Sequence, residues 1–460
     1  MLSRQCWFSS PWAPLFALAG LLAVACDDNS PSGPASPSVT IDAPQSGHVL
    51  LEGQDLLLSG SAVDPQEGSL SGGSLVWSSS IDGFLGTGTS LTVSSPSVGI
   101  HVITLIANDS KGNQGTATVS VAVEELDFLD GTVENSEIGM IVASLGNAVR
   151  LFQAGAPSEQ RDIPLGASST VTATSMSVRG EWAVVPLGNA ASVATIDLRT
   201  QQIEGFYLFS SGNATGSDFV DRQTVIVANQ ETDEVGKFTV GTGGGSITET
   251  ASVAPFPSDV IGVSGSQVLV VSSNLDDTYM PIGDGIVTAI DPATMTVTGT
   301  VTTGGENPQF GALGPDGLLY VSNTGDYWNP STVAVIDPQT MTRVDLIEGF
   351  GAGSADVHVD ASGLVYVSGF FFGTTVWDTS SETFLRGPAD PVCAPLDGGG
   401  CRGASSAFTS ADGTLYQTFF GSPSQGLSPW VFKYEAGSFQ LTDSIASAAG
   451  PMAVEVHGFR

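Results

Sequence analysis

The chain has 460 residues, enough for two or three domains. It carries 47 acidic and 13 basic side chains, which gives a formal net charge of −34. Because so acidic a surface repels the phosphates of nucleic acids, the composition excludes a nucleic-acid partner. Only 13% of the residues are charged and 57 are glycine, a composition that disfavours long surface helices and favours short strands joined by tight turns.

The first 25 residues have the features of a signal peptide. Arg4 supplies a positive charge, and residues 13–24 form an apolar stretch shorter than the roughly 20 residues needed to span a bilayer. The stretch ends in the sequence LAVAC at residues 22–26, which resembles the lipobox of bacterial lipoproteins. This resemblance implies cleavage before Cys26 and lipidation of its thiol. An ordinary signal peptide followed by a chance cysteine is the alternative.

Residues 26–37 are interpreted as the lipidated cysteine and a linker rich in Pro and Ser. We therefore predict a lipid-anchored protein of the bacterial cell envelope, on the periplasmic side or at the cell surface, with the membrane as partner through the N-terminal lipid. Cys393 and Cys401 are the two cysteines that remain, and export favours a disulfide between them.

Residues 38–124 predict a small β-sandwich. Strand-like segments recur at 38–41, 55–61, 75–79, 100–108 and 115–123, separated by turn residues. The last segment alternates apolar and polar side chains, as expected of a sheet with one buried face, and Trp77 is the expected core anchor.

Three short segments of this unit resemble bacterial immunoglobulin-like domains of the PKD type. They are residues 61–67 (SAVDPQE), 75–77 and 108–115 (NDSKGNQG). The resemblance implies a spacer or an adhesive module. The carboxylates of Asp64, Glu67 and Asp109 can bind calcium, although plain turn carboxylates are the preferred interpretation because no EF-type loop is present.

A short apolar strand recurs seven times after residue 130, at steps of 42 to 51 residues. Such a period predicts one blade of a β-propeller for each repeat, and therefore a seven-bladed propeller over residues 130–460. The apolar strand at 451–457 is predicted to pair beside 140–144 and to close the ring. The seven copies begin at Met140, Trp182, Val225, Val268, Leu319, Val365 and Leu415.

Two of the repeats carry a further similarity. Residues 289–297 (AIDPATMTV) and 334–342 (AVIDPQTMT) resemble the repeats of YncE-type seven-bladed propellers, which are related to lactonase-like propellers. The resemblance supports the propeller, and with the sandwich predicted for residues 38–124 the fold class is all-β, a small immunoglobulin-like sandwich followed by a seven-bladed propeller. It implies little about chemistry, because such families share their fold more firmly than their activity.

Three predicted inner strands begin alike, with Asp218, Asp259 and Asp356 at equivalent positions. Carboxylates that converge on a propeller axis can bind a cation such as calcium, or the cationic end of a ligand, and His358 lies two residues beyond Asp356. The alternative is that each carboxylate accepts hydrogen bonds from nearby backbone amides and that His358 merely lines the channel.

Four long inserts are expected on one face of the propeller, at 274–285, 323–331, 386–403 and 419–428. Inserts of this length are often functional. Aromatic side chains gather there and form a candidate binding face, with plugging of the channel or packing between blades as the alternative. The candidates are Tyr279, Tyr327, Trp328, Phe371 and Phe420.

The mature sequence contains no GxSxG, HExxH or CxxC motif, so an enzyme is the less favoured interpretation. The leading hypothesis is a propeller that binds a small ligand or another envelope protein, or serves as a scaffold. The alternative is a cation-dependent, lactonase-like hydrolase that uses the axial carboxylates.

Overall fold

The computed structural model describes residues 36–51, 55–94, 96–124, 137–166, 171–198, 200–241, 243–396, 399–421, 426–447 and 449–458. The predicted signal peptide, Cys26 and nearly all of the linker lie outside these ranges. Strands dominate the described residues, and their one helical turn is a short 3-10 turn at Gly72–Ser74. Within the same ranges, no helix has the length and apolar character needed to cross a membrane.

The first unit consists of two sheets. One joins β1, β3, β4 and β7, and the other has the order β2-β9-β8-β5-β6. The five predicted segments became β1, β3, β5, β8 and β9, and four short strands were not predicted. The strands are β1 (Ser38–Ala43), β2 (His48–Leu51), β3 (Leu56–Asp64), β4 (Gly68–Leu70), β5 (Leu75–Ser79), β6 (Gly83–Thr87), β7 (Ser90–Val93), β8 (Gly99–Asn108) and β9 (Gln114–Glu124).

The core of this unit lies between its two sheets. Trp77 is fully buried there, with Leu58 from one sheet and Leu105 from the other, and its indole N–H donates to the Gly88 carbonyl at 2.9 Å. Gly60 makes room for the ring, because a Cβ at this position would lie 3.1 Å from the indole and 2.7 Å from Leu105. Trp77 therefore anchors the core, as its sequence position predicts.

Residues 137–458 fold into seven sheets of four or five strands each. Their strands are β10 (Glu137–Ala143), β11 (Ala148–Gln153), β12 (Ala156–Pro164), β13 (Ser177–Arg179), β14 (Trp182–Pro186), β15 (Ser192–Asp197), β16 (Gln202–Leu208), β17 (Ala214–Phe219), β18 (Thr224–Asn229), β19 (Glu234–Thr239), β20 (Gly245–Ser246), β21 (Glu249–Ser252), β22 (Pro257–Ser264), β23 (Gln267–Ser272), β24 (Ile286–Asp291), β25 (Thr296–Thr302), β26 (Pro308–Leu313), β27 (Leu319–Asn323), β28 (Thr332–Asp337), β29 (Thr342–Ile347), β30 (Ser354–Val359), β31 (Leu364–Gly369), β32 (Gly373–Asp378), β33 (Thr383–Arg386), β34 (Ser406–Thr409), β35 (Leu415–Phe419), β36 (Trp430–Tyr434), β37 (Leu441–Ala446) and β38 (Pro451–Gly458).

The sheets follow one another along the chain and surround one axis. The innermost strands β13, β17, β22, β26, β30, β34 and β38 all contribute to a single central cavity. Counted outward from the axis, every predicted apolar repeat forms the second strand of its sheet. Each of these strands lies buried between two neighbouring sheets. For example, Leu269 and Val271 of β23 pack with Leu319 and Val321 of β27. Burial on both faces explains why these strands are continuously apolar rather than alternating.

Both ends of this unit meet in its first sheet. The strand β38 pairs antiparallel with β10, with Ile141 opposite Val454, and completes the order β12-β11-β10-β38. Val454 is only 2% exposed, because it packs against the last sheet as well as within its own. The predicted pairing of the C-terminal strand is therefore observed.

The insert between β33 and β34 is cross-linked. Cys393 and Cys401 form a disulfide with their Cα atoms 5.6 Å apart, which confirms the predicted pairing. The cross-link fixes the base of a loop that lies on the same face as the inserts after β23, β27 and β35. We call this side of the propeller the loop face, and define it by the described residues of the inserts at 274–285, 323–331, 386–403 and 419–428.

Candidate functional site

The central cavity has a volume of about 350 Å³ and is walled by the seven innermost strands. Asp218, Asp259, Asp356 and His358 all lie on its wall, each half-buried. The four residues that the repeat pattern singled out are thus on one surface, and their hydrogen bonds indicate what they do there.

The first two carboxylates each join two neighbouring sheets. Asp218 accepts the N–H of Phe219 through Oδ1 at 2.7 Å and the N–H of Gly262, on the next inner strand, through Oδ2 at 2.8 Å. Asp259 repeats the arrangement with Val260 at 2.9 Å and Gly311 at 3.0 Å. Each side chain thereby links the backbone of its own strand to the backbone of the following sheet.

Asp356 belongs to the same pattern. Its Oδ1 accepts the N–H of Val357 at 2.8 Å, and the carboxylate also accepts bonds from Ser406 and from the N–H of Ala407 on β34. Burial among the inner strands raises the pKa of Asp218 to about 6, of Asp356 to about 7 and of Asp259 to about 8. The backbone N–H groups oppose this rise, because they stabilise the charged form.

His358 also joins two inner strands. Its Nε2 accepts the backbone N–H of Thr409 at 3.3 Å and lies 2.8 Å from the Thr409 hydroxyl. The ring stacks on Phe408, with 4.7 Å between centroids, and burial lowers the pKa of His358 to about 4. The imidazole is therefore neutral at neutral pH, and its bonds to Thr409 hold it between β30 and β34.

The axial residues favour the structural interpretation over a cation site. Every one of the three carboxylates already accepts bonds from backbone N–H groups of two sheets. Among the described residues, the axial carboxylates do not belong to any group of three acidic, His or Cys side chains whose ligand atoms lie within 4.8 Å of one another. The hydrolase hypothesis requires such a group, so the geometry gives it no support.

A second cavity lies on the loop face and has a volume of about 660 Å³. It forms where the disulfide-linked insert meets the loop after β35. Its walls are mostly apolar, with one basic side chain. They include Phe370, Phe371, Phe419, Phe420, Leu396, Leu427, Met452 and Arg402. We call this cavity the aromatic pocket.

Arg402 is held against two of these rings. Its guanidinium carbon lies 5.2 Å from the centroid of Phe419 and 5.9 Å from that of Phe432, both within cation–π range. Among the described residues, no carboxylate forms an ion pair with it. In a chain with a net charge of −34, a cation without a carboxylate partner inside an apolar pocket is suited to an anionic group of a ligand.

The axial channel opens beside the aromatic pocket through a polar mouth of about 330 Å³. Phe370 and Met452 line both cavities, so the mouth and the pocket lie side by side. The remaining wall of the mouth consists largely of neutral amide and hydroxyl side chains. Among them are Thr172, Asn189, Asn213, Gln230 and Gln309.

The five predicted aromatic residues divide between these features. Phe371 and Phe420 line the aromatic pocket, and Tyr327 lines the polar mouth. Trp328 is 83% exposed, and Tyr279 is 66% exposed with its ring edge-on to Phe256. Three candidates thus surround the cavities, whereas two project from their inserts.

Sequence reasoning missed Arg402 and Met452. A signal existed for Arg402, because it follows Cys401 directly inside a predicted insert and is one of only 13 basic residues. No sequence signal pointed to Met452, because it lines the cavity only once the C-terminal strand β38 has taken its place at the axis.

No family model and no curated protein matches the sequence. Solved structures are similar to it. A quinonprotein alcohol dehydrogenase-like protein from Bacteroides thetaiotaomicron, 12% identical, aligns over 91% of this chain and 98% of its own length with a TM-score of 0.52. Hydrazine synthase from Kuenenia stuttgartiensis, 14% identical, aligns over 64% of this chain and 97% of that chain with a TM-score of 0.48. The first similarity supports a β-propeller fold and nothing further about activity.

Proposed function

We propose that this chain is a lipid-anchored cell-envelope protein whose propeller binds a small ligand on the loop face. The observation that carries the proposal is the aromatic pocket, about 660 Å³ in volume and lined by phenylalanines around Arg402. Pockets of a few hundred Å³ with apolar walls and few polar groups are typical of small-molecule sites.

The chemistry of the pocket limits the ligand. An apolar or aromatic body fits against Phe371 and Phe420, and an anionic group pairs with the guanidinium of Arg402. The adjoining mouth offers amides and hydroxyls for further polar groups. The proposed ligand class is therefore a small organic anion with an apolar body.

A fluorescent probe of this chemistry, anilinonaphthalene sulfonate, tests the proposal. We expect saturable binding to the purified chain and a loss of about tenfold in affinity in Phe371→Ala, because the ring supplies apolar contact in the pocket. Phe84→Ala is the matched control, since Phe84 is 71% exposed in the first unit, far along the chain from the pocket. Equal binding by both variants would remove the support for this site.

Lipid anchoring rests on the LAVAC segment and is tested separately. Because the thiol of Cys26 is the proposed acyl acceptor, Cys26→Ser is expected to move the chain from the membrane fraction to the soluble fraction of an expressing bacterium. A Cys26→Ser chain that remains in the membrane fraction contradicts the anchor without bearing on ligand binding.

A protein partner is the second candidate, and the exposed aromatic side chains favour it. Trp328 and Tyr279 are exposed on two of the inserts, and Phe371 is exposed in the turn between β31 and β32. Exposed aromatic side chains are enriched at protein interfaces. Another envelope protein is the proposed partner. Trp328→Ser is expected to abolish its co-purification with the chain, whereas Phe84→Ser should preserve it.

A further inference from the structure

Two turns of the first unit bring three carboxylates together. Asp64 ends β3, Glu67 lies in the turn that follows it, and Asp109 begins the turn between β8 and β9. One ligand oxygen from each lies within 4.8 Å of the other two, and within the described ranges this is the sole such group. The turns belong to opposite sheets, so the cluster spans the edge of the sandwich.

Asp64 carries the observation that points to a ligand. The residue is 1% exposed, and its Oδ1 accepts the N–H groups of Gln66 and Glu67, both at 2.8 Å. Its Oδ2 is buried and has no hydrogen-bond partner. An unsatisfied carboxylate oxygen in the interior costs free energy, and a bound cation is one of the few groups that satisfies it.

The other two carboxylates are oriented by their own bonds. Asp109 accepts the N–H groups of Lys111 at 2.9 Å and Asn113 at 2.7 Å, and the side-chain amide of Asn113 lies 2.6 Å from its Oδ2. Glu67 accepts bonds from the N–H and the hydroxyl of Ser110.

Nothing in the described part of the chain neutralises the cluster. None of its three carboxylates forms an ion pair with Lys, Arg or His there. Three like charges at this spacing repel one another, and a divalent cation converts that repulsion into attraction.

We propose that Asp64, Glu67 and Asp109 bind one calcium ion, which ties the turn after β3 to the turn between β8 and β9. The ligand set is all oxygen, without His or Cys, so it suits a hard cation and not zinc. Calcium accepts six to eight oxygens in flexible geometry, whereas magnesium requires near-ideal octahedral geometry, so turn carboxylates favour calcium. The ion would join the two sheets of the first unit at one end.

Calorimetric titration of the purified chain, residues 27–460, with calcium chloride after treatment with a chelator tests this site. We expect one ion per chain and an affinity at least tenfold higher for calcium than for magnesium. Absence of calcium binding at millimolar concentration, or an equal response to magnesium, overturns the assignment.

Two variants locate the ion. Asp64→Asn retains an oxygen for the N–H groups of Gln66 and Glu67 but replaces the unpartnered oxygen with an amide, and is expected to weaken calcium binding at least tenfold. Glu67→Gln is expected to weaken binding similarly without touching the buried position. Asp42→Asn, at an exposed residue of β1, removes the same charge and should bind calcium as the wild type does.

Thermal unfolding separates a metal site from a structural turn. In chelator, Asp64→Asn is expected to unfold at or above the temperature of the wild type, because the charged unpartnered oxygen has been removed. In calcium, the order reverses, because only the wild type gains the ion. A variant that is equally destabilised with and without calcium contradicts the proposal.

Discussion

Asp259 on β22 accepts the backbone N–H of Gly311 on β26 at 3.0 Å, so a side chain of one sheet is bonded to the main chain of the next. Asp218 makes the same bond to Gly262 at 2.8 Å. These bonds lie at the axis, where the sheets are closest together. At Gly262 this contact leaves no room for a side chain, since a Cβ there would lie 2.5 Å from the Phe219 carbonyl and 3.3 Å from Oδ2 of Asp218.

Removal of one such carboxylate is expected to destabilise the propeller. Asp259→Ala leaves the N–H groups of Val260 and Gly311 without their acceptor, which costs about 1–3 kcal/mol of the free energy of unfolding. Urea denaturation followed by tryptophan fluorescence measures the loss. Asp277→Ala is the control, because Asp277 is exposed on a loop insert, and an equal loss in both variants would refute the inter-sheet role.

The raised pKa of Asp259 predicts a dependence of stability on pH. Its pKa is about 8 in the folded chain against an ordinary 3.8, so the folded state holds the extra proton between these values. The free energy of unfolding therefore falls as pH rises through that window. Asp259→Asn lacks this titration, so the wild type should lose stability relative to the variant between pH 5 and pH 8. A difference between the two that stays constant over this range contradicts the prediction.

Arg402 is expected to select the charge of the ligand. Arg402→Ala should weaken binding of anilinonaphthalene sulfonate about tenfold, because a charge-assisted contact of about 1.5–3 kcal/mol is removed. Binding of the uncharged probe phenylnaphthylamine should change less than twofold. Arg402→Lys should retain part of the affinity for the anion, and equal losses for both probes would mean that the residue acts only through packing on Phe419.

The disulfide is expected to stabilise the insert that forms one wall of the aromatic pocket. Cys393 and Cys401 are separated by eight positions in the sequence, and for a loop of this size chain entropy predicts about 2.5 kcal/mol of stabilisation. The double change Cys393→Ser, Cys401→Ser should lower the free energy of unfolding by this order, and a reducing agent should destabilise the wild type but not the variant. No effect of reduction on the wild type would show that the cross-link is dispensable.

The repeats were predictable because burial on both faces leaves a run of apolar residues at a fixed period. For the same reason the equivalent positions of Asp218, Asp259 and Asp356 were visible in the sequence. The hydrogen-bond partners of these carboxylates could not be predicted, because a bond such as that from Gly311 to Asp259 depends on how closely two sheets approach at the axis. Pairing of distant segments cannot be inferred from a local pattern.

The aromatic pocket and the short strands escaped prediction for related reasons. The pocket forms where two inserts and the final strand meet. Arg402 and Met452 therefore come together only in the tertiary structure, and no local pattern marks them as pocket residues. The strands β4 and β6 contain glycine and few apolar residues, and they pair because longer neighbours present open edges. In the first unit, a sequence pattern identified Asp64 and Asp109, but only burial reveals the unpartnered oxygen.

The pairing of β38 with β10 also has a kinetic consequence. More than 300 residues separate the two strands. We therefore expect their ladder to form only after the intervening sheets have assembled. Such long-range pairing makes folding slow, and the same contacts resist opening once the ring is complete. We therefore expect the closed ring to be kinetically stable, which means that it persists because it unfolds slowly. Kinetic stability suits surroundings in which an unfolded chain is cleaved before it can refold.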